Sequence, residues 1–191
     1  MMYYVKLGAI LLIICAIAAG LLAYINGLTE PIIKERKAKE EIQTREALIP
    51  GATFIADKTA SGLDFFIAQD PQTNEVIGYT FIAAKNGYSG EIQTMVGLDK
   101  EFKILNIKVI NQSETPGLGA NCTLEGFAKL FVGLSDTELL VDKDGGKIPA
   151  MAGATITTRA ITNSIKEQVI ALKNHLANAP QALAKSSEEV N

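Results

Sequence analysis

The clearest opportunity for covalent chemistry in this chain is the hydroxyl of Thr155. In Ala152-Gly153-Ala154-Thr155-Ile156-Thr157-Thr158 a loop gives way to a long helical pattern. Two small side chains and a glycine let the backbone turn tightly and let a ligand come close. The Thr155 hydroxyl then stands at or next to the start of the helix, where free N–H groups and the helix dipole favour an anion. A phosphate esterified to it would remain a monoanion, a charge suited to that place. The same residues also make an ordinary helix start, a threonine cap with a glycine beside it.

Two further segments carry turn chemistry. Ser113-Glu114-Thr115-Pro116-Gly117-Leu118-Gly119 builds a tight turn whose exposed N–H groups can hold polar ligand atoms, with Glu114 as its one acid. Gly87-Tyr88-Ser89-Gly90 places an aromatic ring between glycines just before a strand pattern, where it can stack on a flat ring or pack on the core. Metal chemistry has little to work with. The chain holds one histidine, His175, and two cysteines, Cys15 and Cys122, too far apart to be read as a pair or a ligand cluster. A net charge of −3 gives no electrostatic footprint for nucleic acid.

Positioning these segments falls to an α+β chain. Residues 7–29 contain no charged side chain, about the length that spans a bilayer core as a helix, with Tyr3, Tyr4 and Tyr24 near its ends. No small-x-small site with a mature-looking start follows this run, so it reads as an uncleaved anchor, 1–29. A charged juxtamembrane helix, 30–50, continues the span; Pro31 can start or kink it, and Pro50-Gly51 ends it. Strand patterns cover 63–68, 76–83, 91–98 and 102–110, the first two joined by an Asp-Pro-Gln-Thr-Asn turn. A helix is expected near 124–132, a short strand near 139–141, and a last helix over 157–176 with Ile161, Ile165, Val169, Leu172 and Leu176 on one stripe. The polar segment 178–191 reads as a disordered tail.

Taken together, the anchor, Gly-Tyr-Ser-Gly-Glu-Ile, Glu-Thr-Pro-Gly-Leu-Gly and Gly-Ala-Thr resemble the G subunit of the Rnf (Rsx) electron transport complex over nearly the whole chain. The C subunit of the sodium-translocating NADH:quinone reductase is similar but more distant. The resemblance implies a single transmembrane helix followed by one FMN-binding domain, 51–177, with an antiparallel-rich sheet and flanking helices. It implies FMN, one per chain, joined to Thr155 by a phosphoester that a flavin transferase makes. Gly153, Ala154, Ile156, Thr157, Glu114, Thr115, Leu118, Gly119 and Tyr88 are then expected around the flavin.

The implied activity is electron carriage, without a substrate site of its own, inside a ferredoxin:NAD oxidoreductase that moves sodium or protons. The partners are the other subunits of that complex. The alternatives are a flavin carrier of another respiratory chain, such as the quinone reductase, and an assembly subunit without flavin. Two positions depart from the family's pattern: Pro149 and Ala152 stand where its signature has Asp and Ser or Thr. The family places the flavin domain outside the inner membrane, whereas Lys34, Arg36, Lys37 and Lys39 after the span argue for the cytoplasm.

Overall fold

The computed structural model describes residues 2–59 and 62–188, with side chains through residue 178. Two compact units divide the chain, Met1–Gln43 and Thr44–Asn191. Helix α1, Met2–Leu48, begins in the first and ends in the second. It runs unbroken through Pro31. The ring costs the helix a backbone donor but does not end it. This helix is long and apolar enough to cross a membrane. Its aliphatic side chains from Leu7 to Leu28 are exposed in the protein alone, as lipid contact requires.

The second unit is α+β. Five strands, β1 (Thr53–Lys58), β2 (Asp64–Gln69), β3 (Val76–Asn86), β4 (Glu91–Asp99) and β5 (Ile104–Asn111), form one antiparallel meander in the order β1-β2-β3-β4-β5. Alternation sends Phe65, Phe81, Val96, Leu98 and Ile107 to one face. There they meet the stripe Ile161, Ile165, Val169 and Leu172 of α3 (Thr155–Glu188) in the main core. The opposite face carries Ala68 and Met95, which cluster with Leu48 and Ile49 from the end of α1. Glycine makes that approach possible. A Cβ on Gly97 would lie 3.1 Å from the Leu48 Cβ, and one on Gly78 would lie 3.0 Å from Ile49 Cδ1. Arg45 closes the layer, its guanidinium carbon 3.4 Å from the centroid of the Phe66 ring.

Some local expectations are corrected. Strand β1 forms where the pattern marks no separate strand. The strand expected from residue 102 starts at Ile104, because Phe102 turns the chain with a φ of 63°. The helix expected over 124–132 is only the four-residue α2 (Glu125–Ala128), flanked by 3-10 turns at Gly119–Thr123 and Lys129–Phe131. The strand near 139–141 is a single parallel bridge, Val141 to Ile148. Helix α3 starts two residues early, at Thr155, and runs to Glu188, past the expected end at 176. Of the expected tail, residues 189–191 and the side chains from 179 lie outside the described residues.

Candidate functional site

Helix α3 begins at Thr155 itself, so Ala154, which has no side-chain acceptor, precedes the first turn. The threonine that could have capped it is a helical residue instead. Among the described residues, none accepts a hydrogen bond from the N–H groups of Thr155, Ile156 or Thr157; the N–H of Thr158 is the first to close, on Ala154 O at 3.1 Å. Three donors therefore face outward at the positive end of a long helix. The loop before them is held by Thr158, whose Oγ1 accepts from the Met151 N–H at 3.1 Å and donates to Ala154 O at 3.0 Å. Gly153 turns this loop with a φ of +71°. A Cβ there would press to 3.0 Å from Leu118 Cδ2, so only glycine fits between the two segments without strain.

Glu114 is the brace of the site. It is 5% exposed, and both of its carboxylate oxygens are used. Oε1 accepts from the Ser89 N–H at 2.8 Å, and Oε2 accepts from the Thr157 hydroxyl at 2.5 Å. One side chain thus ties the Gly87–Gly90 turn, the Glu114–Gly119 turn and the first turn of α3. Burial by itself pushes this carboxyl up, but the Thr157 hydroxyl and the N–H groups of Ser89, Tyr88 and Gly90 outweigh it, and the net shift is downward. The carboxylate is therefore charged and occupied, which suits a structural anion and not a free base. The Gly119 Cα packs directly on it: a Cβ would fall 2.6 Å from Glu114 Oε2 and 2.7 Å from Thr157 Oγ1.

These segments surround one open cavity of about 460 Å³. All ten residues expected from the sequence line it: Tyr88, Glu114, Thr115, Leu118, Gly119, Gly153, Ala154, Thr155, Ile156 and Thr157. Its size lies in the range of small-molecule sites, roughly 300–1,000 Å³. Tyr88, Leu118 and Ile156 are exposed apolar groups at its mouth, while Thr157, Gly119 and Ala154 are buried at its floor. The sequence does not point to Lys143, which also lines the cavity. Its Nζ donates to Thr155 Oγ1 at 3.1 Å. In the sequence it sits in the polar turn Asp142–Asp144, where a lysine reads as solvated; only its return across a dozen residues onto Thr155 marks it. Among the described residues no group of three or more His, Cys, Asp or Glu side chains is arranged for a metal.

Sequence comparison gives this site its class. The model of the FMN-binding domain family matches residues 87–169, a stretch that includes every residue around the cavity. Over its wider length the chain belongs to the family of G subunits of the Rnf ion-translocating oxidoreductase complexes. It is 33% identical to the G subunit of the Na(+)-translocating ferredoxin:NAD(+) oxidoreductase complex of Acetobacterium woodii, over 88% of this chain and 91% of that one. The proton-translocating counterpart of Clostridium ljungdahlii is 32% identical over 83% and 86%. The G subunit of the ion-translocating oxidoreductase complex of Methanosarcina acetivorans is 30% identical over 86% and 92%. Among solved structures, the C subunit of the Na(+)-translocating NADH-quinone reductase from Parabacteroides distasonis matches in fold, with a TM-score of 0.51 and 20% identity over 60% of this chain and 62% of that one.

Proposed function

We propose that the chain is a membrane-anchored electron carrier whose FMN is joined to Thr155 through a phosphoester, one per chain. The observation that carries this reading is the start of α3. A half-buried threonine hydroxyl lies beside a lysine ammonium and three unengaged N–H groups, at the floor of a cavity with an apolar rim. That donor set suits the phosphate end of FMN. The rim of Tyr88, Leu118 and Ile156 suits a flat heteroaromatic ring.

When bound, the flavin supplies one- and two-electron redox chemistry. The residues of the chain do the rest. The α3 N–H groups orient the phosphate, Glu114 keeps three turns in register around the cavity, and the apolar rim excludes water from part of the ring. The tether keeps a carrier outside the cytoplasm from losing its cofactor.

In this reading the protein works within a ferredoxin:NAD oxidoreductase that couples electron flow to sodium or proton movement, as the names of its relatives state for them. Its partners are the other subunits of that complex, and a flavin transferase matures it. The domain lies on the outer side of the cytoplasmic membrane. Intact-mass measurement of the protein from its native membrane tests the attachment: an increment of one FMN less one water is expected, and none after Thr155→Ala. An unmodified wild-type mass in the presence of the transferase would overturn it.

A further inference from the structure

We infer that Lys143 is the cation that holds the flavin phosphate, a role that rests on attachment at Thr155 and adds to it a residue the sequence did not single out. In a phosphoester the phosphorus is bonded directly to Oγ1. An ammonium 3.1 Å from Oγ1 is thus already within a side-chain adjustment of the non-bridging oxygens. By donating to Oγ1, Lys143 also leaves the hydroxyl's own proton to point away from the ammonium.

The charge of Lys143 is not spent elsewhere. Lys147 pairs with Glu138 at 2.8 Å and Arg159 with Asp144 at 2.6 Å, but among the described residues no carboxylate lies within ion-pair distance of Lys143. The turn that carries it is held by several bonds. Asp142 Oδ1 accepts from the N–H groups of Lys143 and Ala150, at 2.7 and 3.1 Å, and the Asp142 N–H donates to Ile148 O at 2.8 Å. Asp144 receives a two-pronged bond from Arg159, with Nε and Nη2 at 2.7 and 2.6 Å, which fastens the turn to α3 one turn beyond Thr155. The two flanking acids are therefore engaged in holding the turn, and the ammonium between them is left to stand over the acceptor hydroxyl. The three unengaged N–H groups at the start of α3 and the one ammonium at Thr155 Oγ1 form a donor set suited to a monoanionic phosphate.

The test uses the full chain in membranes, with the purified transferase and its flavin donor, comparing wild type, Lys143→Met and Lys143→Arg. The rate of mass gain is expected to fall about tenfold in K143M, the effect of one charge-assisted hydrogen bond, and to recover most of the way in K143R. Once each variant is fully loaded, the phosphorus-31 resonance of K143M should be displaced from that of wild type, with K143R between them. A role confined to folding or to transferase recognition would leave that resonance unmoved. An unshifted resonance, or wild-type loading of K143M, overturns the role of Lys143 and leaves the attachment standing. A wild-type chain that takes up no flavin overturns both.

Discussion

At the scale of single residues, the site depends on a buried charge that does no redox chemistry. Glu114 joins segments 25 and 43 residues away from it through two hydrogen bonds. Hydrogen bonds to a charged group contribute about 1.5–3 kcal/mol each. Glu114→Gln keeps the shape but removes the charge, and about 2 kcal/mol of stability should go with it, read by thermal or urea unfolding. The pH dependence follows from the direction of its shift. A carboxyl whose folded pKa lies below its unfolded value adds stability above the unfolded pKa, and that stability is lost as pH falls through the folded one. Wild type should therefore lose stability below about pH 4.5, and E114Q should lose less over the same interval. Two nearby glycines separate crowding from backbone strain. At Gly119 an added methyl meets Glu114 and Thr157 well inside contact distance, whereas at Gly117, with a φ of +78°, it meets nothing within 4 Å. Gly119→Ala should cost about 1–3 kcal/mol and distort the cavity, as overpacking does. Gly117→Ala should cost about 1–2 kcal/mol of left-handed strain and leave ligand binding intact. Equal loss of flavin in both variants would contradict the packing described for Glu114.

Among the elements, the last turn of α1 has the least obvious role. The sequence suggests a helix that simply leads from the membrane to the domain, yet Leu48 and Ile49 are buried on the face of the sheet opposite α3. Each such side chain adds about 1.5–3 kcal/mol when fully buried. A soluble chain beginning at Thr44 should therefore be more stable than one beginning at Gly51, by about 3 kcal/mol or more, in a denaturation midpoint series. Matching midpoints would show that the sheet's second face needs no cover. The elements also show what the sequence reveals and what it hides. Strands β2 to β5 are rich in β-branched and aromatic residues, and α3 carries an unbroken apolar stripe, so pattern alone finds them. Strand β1 is an edge with mostly exposed positions that ends in Asp57-Lys58, so despite Thr53-Phe54-Ile55 it carries no alternation that sets it apart as a strand of its own. The helix expected over 124–132 shrinks to Glu125–Ala128 because Leu124 is extended and the chain tightens into a 3-10 turn at Lys129–Phe131. Glu114 and Thr155 stand out because Gly and Pro surround the one and small residues lead into the other. Lys143 does not, because its meaning lies in a contact twelve residues away and not in its neighbours.

For the whole molecule, orientation across the membrane has a direct readout. Cys15 lies within the apolar run of α1, and Cys122 is buried, its thiol pushed up to about 11 by burial and then by the Glu114 carboxylate. Neither should react with a charged, membrane-impermeant maleimide. Gln72, in the exposed turn between β2 and β3, offers a place for a single reporter thiol. With the domain outside the cytoplasmic membrane, Gln72→Cys should label in intact cells or spheroplasts. Labelling only after the membrane is opened would reverse the assignment and side with the basic cluster that follows the span.

The reach of the Glu114 bridge has a consequence for timing. Thr157 meets Glu114 across 43 residues of chain, so the bond that joins the first turn of α3 to the Glu114 turn forms only in the folded domain. Under the proposed attachment at Thr155, the modification is then a late event, acting on a finished surface and not on a nascent or unfolded peptide. Under the same proposal, a transferase that reads this folded surface has less need of a complete linear signature. Substrate recognition of that kind can accommodate Pro149 and Ala152, because the backbone at Ala150 is fixed by Asp142 from across the loop. Loading with flavin would serve the cell as a record that this domain has already folded.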